Sequence, residues 1–424
     1  MIARLAIHGG EPVARRAWPR WPAPGRRALR ELAQVLHSGR WTISTPYRGR
    51  ESVEQRFAHA FAAYCGAEHC VPTATGTASL SIALEACGVG AGDEVIVPGL
   101  SWVASASAVL GVGAVPVLVD VDPGSFCLDP AAAEAAITDR TRAISVVHVY
   151  SAIAEVAALA AIADRHGIPL VEDCAHAHGA RYRGRSVGLS GSAGTFSMQG
   201  SKLLTSGEGG ALITRDAGIA RRAEHLRADG RVLSREPVGT GDMELVETAE
   251  VMGANACLSE FHAAVLLDQL ELLEAHNEVR RRAADHLDDR LTGLGCTVQS
   301  TAPGTTARTY YRYAVRVPGE LLAIAPLDRI AEALTAELGF PVQRTYRPLN
   351  DNPLHRPSSR RRFAADASYL ERVEPSRFPL PVTRLVHDST LTFGHEVLLS
   401  DVDGAEHIAR AFEKVVANVR LLGE

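Results

Sequence analysis

The chain has 424 residues, 46% hydrophobic and 22% charged, proportions that suit a globular protein with a large core and, at this length, two domains. A net charge of −5 gives no reason to expect nucleic acid or an acidic membrane surface as partner. The seven cysteines (65, 70, 87, 127, 174, 257 and 296) are scattered without CxxC pairs, which argues for free thiols in a reducing, cytoplasmic setting rather than a disulfide or zinc framework, and no apolar stretch reaches the length of a membrane span.

Residues 1–50 are rich in Pro, Gly, Arg and Trp and read as an arm that packs on another surface, with a helix over 25–38. From 51 to 64 the apolar positions Val53, Phe57, Ala60, Phe61 and Tyr64 recur at helical spacing, and Gly66 follows as a stop. VPTATGTASLSIALEACGV comes next: a short extended piece, a turn at Gly76 and an apolar helix from Thr77. Free amides at such a helix start, with hydroxyls beside them, suit a phosphate, although a simple capped helix fits as well.

The pattern then alternates. β-Branched runs at 94–97, 115–119, 143–149 and 168–171 are separated by helical segments at 102–110, 130–137 and 156–166. That alternation predicts an α/β domain with a largely parallel sheet, and ligands in such folds gather at the carboxyl ends of the strands. Trp102, Asp173 and the 197–202 turn all fall just past strand ends. A further strand at 211–214 leads through an acidic loop, 236–250, to a long helix over 258–291. GLGCTVQS, TYYRYAVRV and FPVQRTY predict strands of a smaller α+β domain, with helices at 327–338 and 403–422. The expected division is therefore an arm at 1–50, a large domain at 51–275 and a small domain at 276–424.

The 44 basic residues include only two lysines, Lys202 and Lys414. A guanidinium stays protonated, whereas an amine with a lowered pKa is a nucleophile and a base, so a lysine kept amid arginines at 194–210 points to chemistry. The alternative is a surface lysine in a polar loop. A Gly-Thr helix start, an aromatic residue, a carboxylate at a strand end and this lysine together form the set that pyridoxal phosphate needs for its phosphate, ring, ring nitrogen and aldehyde.

TGTASL, GDEVIVPGLSWVASASAV, VEDCAHAHGA, GTFSMQGSKLLTSGEGG and GANACLSEFHAAVLLDQL, taken in order, resemble the DegT/DnrJ/EryC1/StrS family of pyridoxal-phosphate-dependent aminotransferases. The resemblance implies the type I fold of these transferases, like that of aspartate aminotransferase. It implies that Lys202 bonds the cofactor's aldehyde and moves the substrate proton, that Asp173 partners the ring nitrogen, that His176 meets the phenolic oxygen and that Trp102 stacks on the ring. It assigns Gly76, Thr77 and Ser197, with Ser201 nearby, to the phosphate. Asn255 would reach the phosphate of a neighbouring subunit, which implies a homodimer with shared sites. A lysine acting as base must be neutral, so a depressed pKa is expected.

Tyr150-Ser151-Ala152 stands where nucleotide-sugar members have a His-Leu-Tyr-Gly type of stretch. With the SMQ before the lysine turn, TYRPLN at 345–350 and the long arm, this is similar to the branch that aminates keto-cyclitols from L-glutamine, on the way to aminocyclitol antibiotics. Tyr150, Tyr346 and Arg347 are the substrate-contact candidates. Alternatives from the same family are a nucleotide-linked keto-sugar aminotransferase, for which no pyrophosphate cluster is evident, and an aminohydroxybenzoate synthase. Outside catalysis stands a regulatory scaffold without cofactor. No metal site is expected.

Overall fold

The alternation of strands and helices is realised as one seven-stranded sheet whose neighbours run β1-β9-β8-β5-β4-β2-β3. The computed structural model describes residues 4–234, 236–364 and 366–423. In the arm, α1 spans Ala28–Ser38 and begins later than the pattern suggests. The Gly25 and Arg27 amides are held instead by the Asp268 carboxylate, at 2.7 and 2.9 Å. Ser52 and Gln55 form a reciprocal cap for α2 (Val53–Cys65), and Gly66 ends it with φ 70°, a conformation that glycine adopts at no steric cost.

The large domain continues through β1 (His69–Thr73), α3 (Gly76–Ala86), β2 (Glu94–Pro98), α4 (Ala104–Gly111) and β3 (Val115–Val119). Then come α5 (Pro130–Ala135), β4 (Thr141–Val147), α6 (Val156–His166) and β5 (Leu170–Asp173). A hairpin of β6 (Arg181–Tyr182) and β7 (Arg185–Ser186) precedes β8 (Ala193–Ser197), β9 (Gly210–Thr214) and α7 (Ala217–Arg227). Strands β2, β3, β4, β5 and β8 pair in parallel, while β9 runs antiparallel to both β8 and β1. Every residue of β2 is buried, as expected of a strand covered by helices on both faces.

After the short pair β10 (Arg231–Leu233) and β11 (Leu245–Glu247), α8 runs without a break from Glu260 to Thr292. Its first half packs in the large core through Ala263, Leu266 and Leu273, and its second half in the small core through Ala283, Leu287 and Leu291. One helix thus joins the two bodies. The small domain holds β12 (Thr297–Val298), β13 (Thr305–Ala307), β14 (Arg312–Arg316), α9 (Gly319–Leu322), α10 (Leu327–Leu338) and β15 (Gln343–Arg344). It continues with α11 (Arg361–Ala364), α12 (Ala367–Arg372), α13 (Pro381–Ser389), β16 (Thr390–Gly394) and α14 (Asp401–Ala417). Its antiparallel sheet has the order β12-β14-β16-β15.

Two features depart from a simple division by sequence. Leu5 and Ala14 of the arm are buried in the small core, and Leu349, Leu380, Phe363 and Val373 pack on the large domain around α4. The cores therefore exchange segments across the boundary expected at 276. Among the described residues no helix is long and apolar enough to cross a membrane.

Candidate active site

The ends of the parallel strands converge on a cavity of about 550 Å³. Asp173 is the last residue of β5, Ser197 is the last of β8, and Trp102 follows β2. All three line the cavity with Gly76, Thr77, His176 and Lys202.

Beyond Ser197 the chain doubles back on itself. Met198 N–H donates to Gly209 O, Gly200 N–H to Gly207 O, and Ser206 N–H to Met198 O, at 2.8, 2.8 and 3.1 Å. Leu203 and Leu204 are buried under this arch, and Lys202 N–H closes a turn to Gln199 O at 2.8 Å. The arm supports it from below: Trp21 Nε1–H donates to the Lys202 carbonyl at 3.1 Å, and His395 Nε2 bonds the Ser201 carbonyl at 3.0 Å. Lys202 Nζ is thereby aimed over the Tyr311 ring, 4.2 Å from its centre. The two lysines of the chain differ sharply. Lys414 Nζ pairs with Glu337 at 2.9 Å, whereas among the described residues no carboxylate stands within ion-pair distance of Lys202. Burial pushes the Lys202 amine below its ordinary range, and the Tyr311 phenol and Asp173 oppose the shift only in part.

At the opposite wall, Thr75 caps α3 by accepting the Ala78 amide at 3.1 Å, and its carbonyl takes the Ser79 amide. Among the described residues the Gly76 and Thr77 amides have no partner, the usual condition of a helix's first turn. Gly76 is pressed against Ser197: a Cβ added there would lie 2.4 Å from Ser197 Cβ. This close approach brings two free amides and the hydroxyls of Thr77 and Ser197 to one place, a cradle for an anion.

Asp173 accepts the Ala175 amide at 3.0 Å, while Ser105 Oγ stands at the limit of bonding, 3.5 Å away. Burial raises this carboxyl, countered by the Ala175 amide and by Lys202. One of its oxygens therefore keeps capacity for a further donor. His176 lies flat on Tyr311, with ring centres 4.0 Å apart. Its Nδ1 accepts the Tyr150 amide at 3.1 Å, so the ring proton sits on Nε2. Burial, with Lys202 beside it, holds the imidazole well below its ordinary pKa and hence neutral. Nε2–H is left as a donor, with Tyr346 Oη 3.5 Å away. Burial raises the Tyr311 phenol, but the Lys202 charge and hydrogen bonds with Ser201 and Tyr346 outweigh it and leave a net downward shift.

The structure brings together Gly76, Thr77, Trp102, Asp173, His176, Ser197, Ser201, Lys202 and Tyr346, all of them anticipated from sequence. Tyr150 is not in the wall. A positive φ of 58° turns it behind the cavity, 1% exposed, where its hydroxyl accepts the Tyr346 amide at 2.7 Å; it positions Tyr346 rather than touching a ligand. Arg347 is exposed and outside the lining, and so is Asn255, which bridges to Ala228. Sequence reasoning missed Tyr311, Arg312, Gln343 and Glu208, which also line the cavity. The first three come from short strands of the small domain, or from their edge, and carry no local signal.

Behind Asp173, His148, Glu172 and Cys174 lie close enough to suggest a metal. Their bonds are already taken. His148 Nδ1 accepts the Ala154 amide, so Nε2–H donates to Glu172 at 3.1 Å, and Glu172 also accepts the amides of Gly188, Ser190 and Gly191. Burial moreover keeps the Cys174 thiol well above its usual range, so no thiolate is available as a ligand. The trio acts as a brace for the end of β5.

Comparison with known proteins adds a lineage to this geometry. A model of the DegT/DnrJ/EryC1/StrS aminotransferase family matches residues 24–390. The chain is 71% identical, over 99% of both chains, to an L-glutamine:scyllo-inosose aminotransferase of Streptomyces griseus. It is 60% identical, over 100% of both, to an L-glutamine:2-deoxy-scyllo-inosose aminotransferase of Streptomyces paromomycinus. Among solved structures, 3-amino-5-hydroxybenzoic acid synthase superposes with a TM-score of 0.79 at 31% identity, covering 95% of this chain and 99% of the other.

Proposed function

The chain belongs to the DegT/DnrJ/EryC1/StrS aminotransferase family, and from that premise we propose that it transfers the amino group of L-glutamine to a keto-cyclitol of the scyllo-inosose class. Pyridoxal 5'-phosphate is the cofactor in this reading, and the product is an aminocyclitol for aminoglycoside biosynthesis. The substrates rest on the relative named for L-glutamine and scyllo-inosose, 71% identical from end to end. The reaction class rests on the cavity, where a buried lysine that, among the described residues, forms no ion pair shares the walls with the Asp173 carboxylate and an anion cradle.

The residues fit the cofactor. Gly76 and Thr77 amides with the Thr77 and Ser197 hydroxyls would hold its phosphate. Asp173 would hold a proton on its ring nitrogen, and that positive partner would in turn keep the carboxylate ionised despite burial. His176 Nε2–H would donate to its phenolic oxygen, and Trp102, half-exposed at the rim, would cover the ring face. When bound, pyridoxal phosphate supplies an electron sink for the bonds at the substrate carbon.

The protein's own task is proton traffic and exclusion of water. Lys202 Nζ, whose charged form burial disfavours, takes the proton from the α-carbon of glutamine, which leaves as the 2-oxo amide. In the second half-reaction the same nitrogen delivers a proton to the former carbonyl carbon of the cyclitol, which becomes the amine-bearing carbon. Tyr311 keeps Nζ over the site between the two halves.

The reading includes a homodimer. Asn255 is exposed and outside the lining of its own cavity, consistent with service to a neighbour's phosphate, and Leu29, Trp41 and Met252 are exposed apolar residues of 83%, 49% and 92%. A cytoplasmic location is consistent with seven cysteines that are all unpaired.

The test is transfer of label from L-glutamine carrying ¹⁵N at its α-amine to scyllo-inosose, followed by mass spectrometry. Labelled aminocyclitol with stoichiometric 2-oxo amide is expected. Labelled product from a nucleotide-linked keto sugar but none from the cyclitol would overturn the acceptor assignment.

A further inference from the structure

We infer that Arg312 is the anchor for the α-carboxylate of the amino donor, an inference that rests on the amino-acid donor proposed above. Lys202 and Arg312 are the two cationic side chains of the cavity wall, since His176 is neutral. Arg312 opens β14, next to Tyr311. Its Nε–H donates to Thr392 Oγ1 at 3.0 Å. With the Gln343 amide turned so that its oxygen faces the guanidinium, the two terminal nitrogens bond it at 2.6 and 3.2 Å.

Both partners are uncharged, and among the described residues no carboxylate pairs with Arg312, in contrast with Arg344 next to Gln343, which is neutralised by Asp328 and Asp388. The guanidinium is thus held in place without being neutralised. Such a group keeps its charge and one N–H on each terminal nitrogen for an incoming carboxylate.

The cofactor's phosphate is not its natural partner. A second cavity of about 240 Å³ shares Ser201, Tyr311, Arg312 and Gln343 with the main one but none of Thr75, Gly76, Thr77 or Ser197. Arg312 therefore stands at the end of the site away from the α3 cradle, on the small-domain side. The arrangement also suits a site that must serve two unlike substrates. The donor brings a carboxylate and removes it as the 2-oxo amide, after which an uncharged polyol occupies the same space. An arginine locked to an acidic residue would offer the carboxylate nothing; one held by an amide and a hydroxyl binds the carboxylate and then the polyol's hydroxyls.

The experiment uses holoenzyme, in single turnover, as wild type, Arg312→Gln and Arg312→Lys. Each is offered L-glutamine and, separately, 4-aminobutanamide, which is glutamine without its α-carboxylate; the aminated form of each is then offered the keto-cyclitol. Folding is checked by the melting temperature. Arg312→Gln is expected to lose roughly 30- to 100-fold in kcat/KM for glutamine, mainly through KM. Its loss for 4-aminobutanamide should stay under about threefold, and its loss for the ketone should be at least about tenfold smaller than for glutamine. Arg312→Lys should recover part of the glutamine loss.

Equal losses for both donors, or a glutamine loss under about threefold, would overturn the inference. If wild type takes its amino group from another amino acid, the glutamine reading fails by itself. The same comparison with that amino acid and its decarboxylated form then decides Arg312. A wild type that accepts no amino acid overturns both.

Discussion

Replacing Gly76 by alanine tests the anion cradle at its tightest point. The new methyl carbon would stand 2.4 Å from Ser197 Cβ, 2.8 Å from Ser197 Cα and 2.9 Å from Ser197 Oγ. Carbon atoms in contact need about 3.5–4.0 Å, so the start of α3 and the end of β8 must part by roughly 1 Å. That strain should cost about 1–3 kcal/mol of stability. The larger effect should fall on the ligand, because the displaced elements carry the two free amides and the Ser197 hydroxyl. Losing one charge-assisted bond of about 1.5–3 kcal/mol weakens binding roughly 10- to 150-fold. Fluorescence titration with pyridoxal phosphate and with unphosphorylated pyridoxal separates the two consequences. The loss should appear for the phosphorylated compound and be nearly absent for pyridoxal. An unchanged affinity for pyridoxal phosphate, or an equal loss for both compounds, would refute the assignment of the phosphate to this cradle.

Trp21→Phe keeps an aromatic ring but removes the indole N–H that donates to the Lys202 carbonyl and part of the packing on His276 and His395, so the melting temperature should fall with a stability loss of at least about 1 kcal/mol. The donor half-reaction, followed by stopped flow, should slow several-fold. In Tyr311→Phe the group that most strongly raises the Lys202 pKa is gone, so Lys202 should become a weaker base with a still lower pKa. The acid limb of its pH–rate profile should move to lower pH. His178 is wholly buried, and its pKa is lowered from 6.5 to about 3, chiefly by burial. Because the unfolded chain binds the extra proton below pH 6.5, stability falls as pH drops from there towards 3. By pH 5 the loss is about 2 kcal/mol at ~1.4 kcal/mol per unit. His178→Leu should remove that part of the slope when urea midpoints are compared at pH 7 and pH 5.

What the sequence made legible was whatever carried a local signal. Period and length fixed α6 and α10 at their observed limits and α8 to within two residues, because each buries one face against a neighbour over several turns. Asp173, Ser197 and Trp102 were readable as site residues because strand ends in parallel sheets point to one edge. Lys202 stood out by rarity. Tyr311, Arg312 and Gln343 could not be found this way. They lie at or beside β14 and β15, strands of five and two residues, and their place in the cavity depends on how α8 sets the small sheet against the large one. Tyr150 was misjudged for a related reason: residue order placed it past β4, but only the backbone turn at φ 58° decides that it faces inward, away from the cavity. The arm is the plainest case. Trp21 sits 181 positions from the lysine whose carbonyl it holds, a separation that no periodicity spans.

In the proposed reaction Lys202 Nζ moves the proton at the substrate carbon. Holoenzyme in D₂O with L-glutamine and no acceptor, followed by proton NMR, reads that step alone. Wild type should exchange the α-hydrogen of glutamine for deuterium, and Lys202→Ala, verified by mass spectrometry to retain pyridoxal phosphate, should lose roughly 100- to 10,000-fold of that rate. Exchange at the wild-type rate in Lys202→Ala would rule out Lys202 as the base and pass the proton to another group.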